Sequence, residues 1–111
     1  MIEETMTFEF TESSGNIFAD MGLDDADALF TRAKLGYAVR KILKNRNLKQ
    51  QEIADLLKIK QPEVSNLIKG KYHLFSESRL FSFLNKLEQK IIIEITPHHQ
   101  GEQLIEVTVN I

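Results

Sequence analysis

The 111-residue chain contains no cysteine. Disulfides, thiol catalysis and cysteine-ligated zinc are thereby excluded. No apolar run approaches the ~18 residues that a bilayer-spanning helix needs. The acidic beginning of the chain is unlike a secretory signal, so a cytoplasmic protein without a membrane partner is expected. There is no nucleophile–base pairing, glycine-rich phosphate loop or calcium loop, and neither an enzymatic activity nor a cofactor is expected. Internal repeats and low-complexity tracts are also missing. Lysine and arginine are absent from residues 1–31, which hold eight acids: Glu3, Glu4, Glu9, Glu12, Asp20, Asp24, Asp25 and Asp27.

What is present complements those gaps. Hydrophobic residues at 42% and charged residues at 27% suit one compact soluble domain. The formal net charge of −2 hides a segregation. Residues 32–71 carry eleven bases against three acids (Glu52, Asp55, Glu63), a balance of +8. Such a middle suits a polyanion, although a basic run such as Arg40, Lys41, Lys44 and Arg46 also suits the wet face of a helix.

Met6-Thr7-Phe8-Glu9-Phe10-Thr11 alternates apolar and polar residues, the period of a half-buried strand. Residues 13–16 form a turn cluster, and 16–23 a short apolar stretch that plugs into the core. Asp24 or Asp25 suits the cap of a helix from Ala26 to about Arg46, with Ala28, Leu35, Val39, Ile42 and Leu43 on its inward face. Two short helices follow. One spans Gln50–Leu57 with Ile53, Leu56 and Leu57 inward; the other spans Gln61–Lys69 with Val64, Leu67 and Ile68 inward and Gly70 closing it. Pro62 falls in the first turn, where no intrahelical N–H is lost. Ser76 caps a fourth helix, stapled by Phe75 and Leu80 and buried through Leu80, Phe81, Leu84 and Leu87.

The tail changes period. Ile91, Ile93 and Ile95 alternate with Ile92, Glu94 and Thr96, and Ile105, Val107, Val109 and Ile111 alternate with Leu104, Glu106, Thr108 and Asn110. The loop Pro97-His98-His99-Gln100-Gly101 joins the two runs, and the whole reads as a β-hairpin. His98 and His99 lack a third ligand and a metal-type spacing, so a loop tip is the expectation and no metal site is assigned. His73 is isolated and expected to be structural.

Two short helices joined by about three residues form a rigid angled unit that displays the outer face of the second. That face is Pro62, Ser65, Asn66 and Lys69, with Gln61 at its leading end. Gln and Asn donate and accept at once, as the adenine edge in the major groove requires; Ser meets either base type and Lys neutralises phosphate. Short side chains let such a helix lie deep in a groove about 12 Å wide.

At these residues the chain resembles a known family. LKQQEIADLLKIKQPEVSNLIKG is similar to the helix-turn-helix of the XRE family, related to phage repressors and Cro proteins. Gln50 opens the first helix, Ala54 makes the tight contact, Ile59 follows the turn, and Val64 and Leu67 anchor the second helix. The flanks, with which the likeness covers about residues 14–95, resemble the HigA-type antitoxin branch. The resemblance implies a mainly α, four- to five-helix lambda-repressor-like DNA-binding domain, with the C-terminal β-hairpin and N-terminal strand added to it. The expected organisation is an acidic segment over 1–25, the DNA-binding domain over 26–89 with its helix-turn-helix at 50–70, and a dimerising hairpin over 90–111.

Carried over position by position, the family's base contacts fall on Gln61, Pro62, Ser65 and Asn66, with Gln50 and Lys69 on phosphates. Lys49 and Lys71 extend the set, and Arg40, Lys41, Lys44 and Arg46 flank it. Two positions depart from the family pattern. Lys58 stands where glycine is usual, and Lys49 where a threonine cap is usual. One recognition helix reads only about four or five base pairs, so a homodimer on a palindromic double-stranded operator is expected, paired through Ile91, Ile93, Ile95, Ile105, Val107 and Val109. Packing of the hairpin within its own chain, on the fourth helix or with the strand at 6–11, is the alternative to that pairing. The antitoxin branch further implies a RelE-like toxin partner and repression of its own operon. The acids of residues 1–31 suit a surface facing such a toxin, which is basic where it grips RNA, and equally suit shielding of the domain's own basic face. A stand-alone regulator, or an interaction module that has lost DNA binding, is the alternative.

Overall fold

The computed structural model describes residues 25–111. The strand expected over 6–11, the turn at 13–16, the apolar stretch 16–23 and the acids up to Asp24 lie outside the described residues.

Helix α1, Asp25–Asn45, buries Ala28, Thr31, Leu35, Ala38, Val39, Ile42 and Leu43, a stripe at spacings of three and four. Asn47 ends it at φ 53°, a left-handed position that Asn tolerates well, and its N–H reaches the Lys44 carbonyl. Helix α2, Gln50–Leu57, turns Ile53, Ala54 and Leu57 inward. Helix α3, Gln61–Ile68, anchors itself with Val64 and Leu67. A single 3₁₀ turn at Tyr72–Leu74 leads into helix α4, Glu77–Lys86. The four helices share one core with Phe75 and Leu87. Among the described residues, no helix is long and apolar enough to cross a membrane.

Caps explain where each helix starts and stops. At Lys49 there is no acceptor to replace the missing threonine; instead Glu52 Oε1 reaches back to accept the Lys49 N–H at 2.9 Å. Glu63 Oε1 does the same for the Lys60 N–H at the start of α3, at 3.3 Å. Ser76 caps α4 as expected, its Oγ accepting the Arg79 N–H at 3.2 Å. Gly70 follows α3 at φ 80°, and the Lys71 N–H closes back on the Asn66 carbonyl at 2.9 Å. Residues 87–89 repeat that closure after α4, with Glu88 at φ 64° and the Gln89 N–H on Leu84 O.

Lys58 occupies the left-handed region at φ 57°, ψ 48°, where the Ile59 N–H can reach Ala54 O at 3.0 Å. A side chain there is strained relative to glycine. Lys58→Gly is therefore expected to raise stability by up to about 1 kcal/mol in a urea titration. A loss of stability would show that the lysine side chain makes up for its backbone.

Two expectations need correction. In α4 the buried aromatic is Phe83, edge-on to Phe75 with centroids 5.7 Å apart, whereas Phe81 is only partly buried. Both fall within the breadth of an amphipathic stripe, and Phe75 selects Phe83. In α2, Leu56 is partly buried and faces the core as expected, as does Ile68 in α3. In the tail, a turn at Gln100–Gly101 stands where the hairpin loop was expected, yet no strand forms among the described residues. A two-stranded hairpin without a third strand is marginal in water. Ile105, Val107 and Val109 are nonetheless half-buried and alternate with exposed Glu106, Thr108 and Asn110. The Val107 carbonyl accepts from Lys34 Nζ on α1.

Candidate nucleic-acid interface

The outward face of α3 follows from what its inward face must bury. With Val64 and Leu67 fully enclosed, helical geometry leaves Gln61 and Pro62 exposed, Ser65 and Asn66 half-exposed, and Lys69 exposed at the C-cap. These five residues thus share one face. Lys71 is exposed just beyond the closing turn. Gln50, the first residue of α2, and Lys49, its N-cap, are both exposed at a helix N-terminus, where free N–H groups favour a phosphate. The packing of α2 on α3 brings these two groups onto one helix-turn-helix unit.

The electrostatics around α3 have two further features. First, Arg40 on α1 comes to the end of the recognition helix: its Nη1 lies 3.9 Å from where a Cβ on Gly70 would stand. Arg40 and Lys44 also rim a cleft of about 290 Å³ floored by Leu43, Leu48, Ile53, Leu67 and Ile68. Among the described residues, the ion pairs are Arg32–Glu77 and Arg79–Glu63, so Arg40, Lys44, Lys69 and Lys71 keep their charge uncompensated by a carboxylate. Arg46 is different. Its Nη2 donates to the Leu87 carbonyl at 2.8 Å and so closes the end of α4, a structural task. Lys86 does likewise for α2, donating to Leu57 O at 3.2 Å.

Second, the start of the recognition helix is clamped. Glu63 pairs with Arg79 Nη2 at 2.6 Å, and the Arg79 guanidinium stacks 5.3 Å and 5.5 Å from the Phe75 and Phe83 ring centres. Burial pushes the Glu63 carboxyl upward, but the Arg79 hydrogen bond and charge, with the Lys60 N–H, outweigh it and hold the group below the ordinary carboxylate range. A carboxyl lowered on folding adds stability above its unfolded pKa and loses it as pH falls through the folded one. Glu63→Gln is therefore expected to flatten the acid limb of stability against pH, with little change at neutral pH beyond the lost pair. The check is urea unfolding from pH 7 downward; an unchanged acid limb would show that Glu63 titrates as it does in the unfolded chain.

The residues assigned to dimerisation divide. Ile91, Val107 and Val109 pack partly against the chain's own core and Ile105 is half-buried, whereas Ile93 and Ile95 are exposed. His98 and His99 are exposed in the turn, where His98 Nε2 lies 3.0 Å from the Glu102 carbonyl. His73 is exposed too, and its carbonyl accepts from Arg32 Nη1 at 3.5 Å.

Comparisons with known proteins agree with this geometry. A family model described as a helix-turn-helix domain matches residues 17–96. A solved structure described as a candidate XRE family transcriptional regulator is 32% identical, with a TM-score of 0.68 over 78% of this chain and 97% of that one. A comparison with curated proteins found no match.

Proposed function

Because the chain belongs to the XRE-type helix-turn-helix family, we propose that it is a DNA-binding transcriptional regulator, and more narrowly a repressor that binds a palindromic operator as a homodimer. The observation that carries this reading is the outer face of α3, which offers Gln61, Ser65 and Asn66 ahead of the uncompensated cations Lys69 and Lys71 at its C-terminal end. In the mechanism, α3 enters the major groove. Gln61 and Asn66 pair with base edges, Ser65 adjusts to its neighbour, and Pro62 offers an apolar contact. Gln50 and Lys49 at the head of α2, with Lys69 and Lys71 at the tail of α3, hold phosphates and fix the register. A second copy supplies the second half-site, about one helical turn away.

The finer assignment is the antitoxin of a HigBA-like pair that represses its own operon and binds a RelE-like toxin. It is supported by the likeness of the flanks and by the eight acids of residues 1–31, which suit a toxin that is basic where it grips RNA. A neighbouring reading frame for a small basic ribonuclease is the expected genomic setting.

Gel-shift titration against the gene's own upstream DNA tests the repressor. Asn66→Ala and Gln61→Ala are each expected to weaken operator binding by about 1–3 kcal/mol, roughly 5- to 150-fold, and to relax specificity at one position. Equal binding to operator and scrambled DNA would overturn sequence-specific repression. Absence of binding even at low salt would favour an interaction module that has kept the fold alone.

A further inference from the structure

The chain leaving α4 carries a feature that the recognition unit does not explain. Residues 90–96, Lys-Ile-Ile-Ile-Glu-Ile-Thr, are β-branched at five of seven positions, a strand-forming composition. Ile91 packs partly against the core, but Ile92, Ile93 and Ile95 are 77%, 60% and 92% exposed. Among the described residues, no hydrogen bond engages the backbone of residues 90–97. A strand-forming apolar segment with free N–H and C=O groups is a template for pairing with another chain.

We propose that residues 90–94 pair antiparallel with the same residues of a second copy, in a register centred on Ile92. The partner is thus another molecule of this chain, and its charges choose the register. Centred on Ile92, Lys90 lies opposite the partner's Glu94, Glu94 lies opposite the partner's Lys90, and the two Ile92 side chains meet between them. Ile91 then lies opposite the partner's Ile93, so each exposed Ile93 gains cover from an isoleucine already seated on a core. A register centred on Ile93 would set Ile92 against the partner's Glu94 and leave Lys90 against a threonine. One centred on Glu94 would set two carboxylates face to face. Opposite charges directly across an antiparallel pair stabilise it and like charges weaken it, so only the first register is complementary on both faces.

This inference rests on the reading of the protein as a dimeric regulator, since it says how the second recognition helix is held. Sedimentation of the full chain tests it without DNA. The wild type is expected to sediment as a dimer. Lys90→Glu and Glu94→Lys, each placing like charges across the pair, are expected to raise the dimer dissociation constant at least about tenfold. The double variant Lys90→Glu with Glu94→Lys restores the opposition and is expected to return within about threefold of wild type. Helical circular dichroism unchanged in all three variants is expected, because both side chains are exposed. A monomeric wild type would overturn the proposal, as would a dimer indifferent to either single reversal or one that the double variant fails to recover. Gel shifts read the other premise separately: a dimer with this charge pattern that binds no DNA leaves the pairing intact and removes the repressor.

Discussion

Arg32→Ala is expected to destabilise the fold by about 3–5 kcal/mol, the usual cost of stripping one partner from a buried ion pair. Glu77 is fully buried at the first turn of α4, and Arg32 crosses from α1 to meet it with Nε 2.6 Å from Oε1 and Nη2 3.4 Å from Oε2. Two donors on one carboxylate make this a charge-assisted, two-point contact that lysine cannot copy. The third nitrogen, Nη1, holds the His73 carbonyl at 3.5 Å, so one guanidinium ties α1 to both the 3₁₀ turn and α4. Without it, the Glu77 carboxylate keeps only the favourable field of a helix N-terminus. A urea titration should show the midpoint falling with the slope unchanged, and a thermal melt should fall by roughly 15 °C or more. The double variant Arg32→Met with Glu77→Leu is expected to recover most of the loss, since an apolar pair needs no desolvated charge. A cost below about 1 kcal/mol for Arg32→Ala would mean that water reaches the carboxylate and that the pair behaves as a surface one.

That contact also shows what a sequence cannot display. Arg32 and Glu77 are 45 residues apart, and neither has a local pattern that names the other. Arg32 reads simply as one of eleven bases in the middle of the chain. The approach of Arg40 to Gly70 is hidden for the same reason, as is the tight fit of Gly36, where an added Cβ would come within 2.2 Å of the Tyr72 ring. The recognition unit, by contrast, is written almost entirely in local terms. Short helices, a three-residue break, Pro62 in a first turn and Gly70 at a left-handed close each have a meaning fixed by neighbouring residues. The outward positions of Gln61, Ser65 and Asn66 then follow from where Val64 and Leu67 must go. The tail lies between these cases. Its alternation survives as alternating burial at Ile105, Val107 and Val109, but the pairing of strands depends on a partner that no local period specifies.

Operator binding is expected to fall about a thousandfold between 50 and 200 mM monovalent salt, the largest effect foreseen for this protein. In the proposed dimer each protomer would offer three cations to phosphate at the ends of its helix-turn-helix: Lys49, Lys69 and Lys71, all exposed. Two protomers bring six, and each neutralised phosphate adds about −0.9 to the slope of log K against log salt, giving a slope near −5. Gln50, proposed as a phosphate contact, carries no charge and is expected to leave the slope unaltered. Lys69→Ala removes one cation from each protomer and should flatten the slope by about 2 while weakening every sequence alike. Asn66→Ala should do the reverse, costing affinity for the operator with no change of slope, because a base contact releases no counterion. The measured slope also counts what else touches the backbone. A value near −9 would enrol Arg40 and Lys44 from both protomers, extending the interface from α3 onto α1 beside Gly70. A value near −3 would mean that a single protomer binds, and would remove the palindromic operator from the proposal.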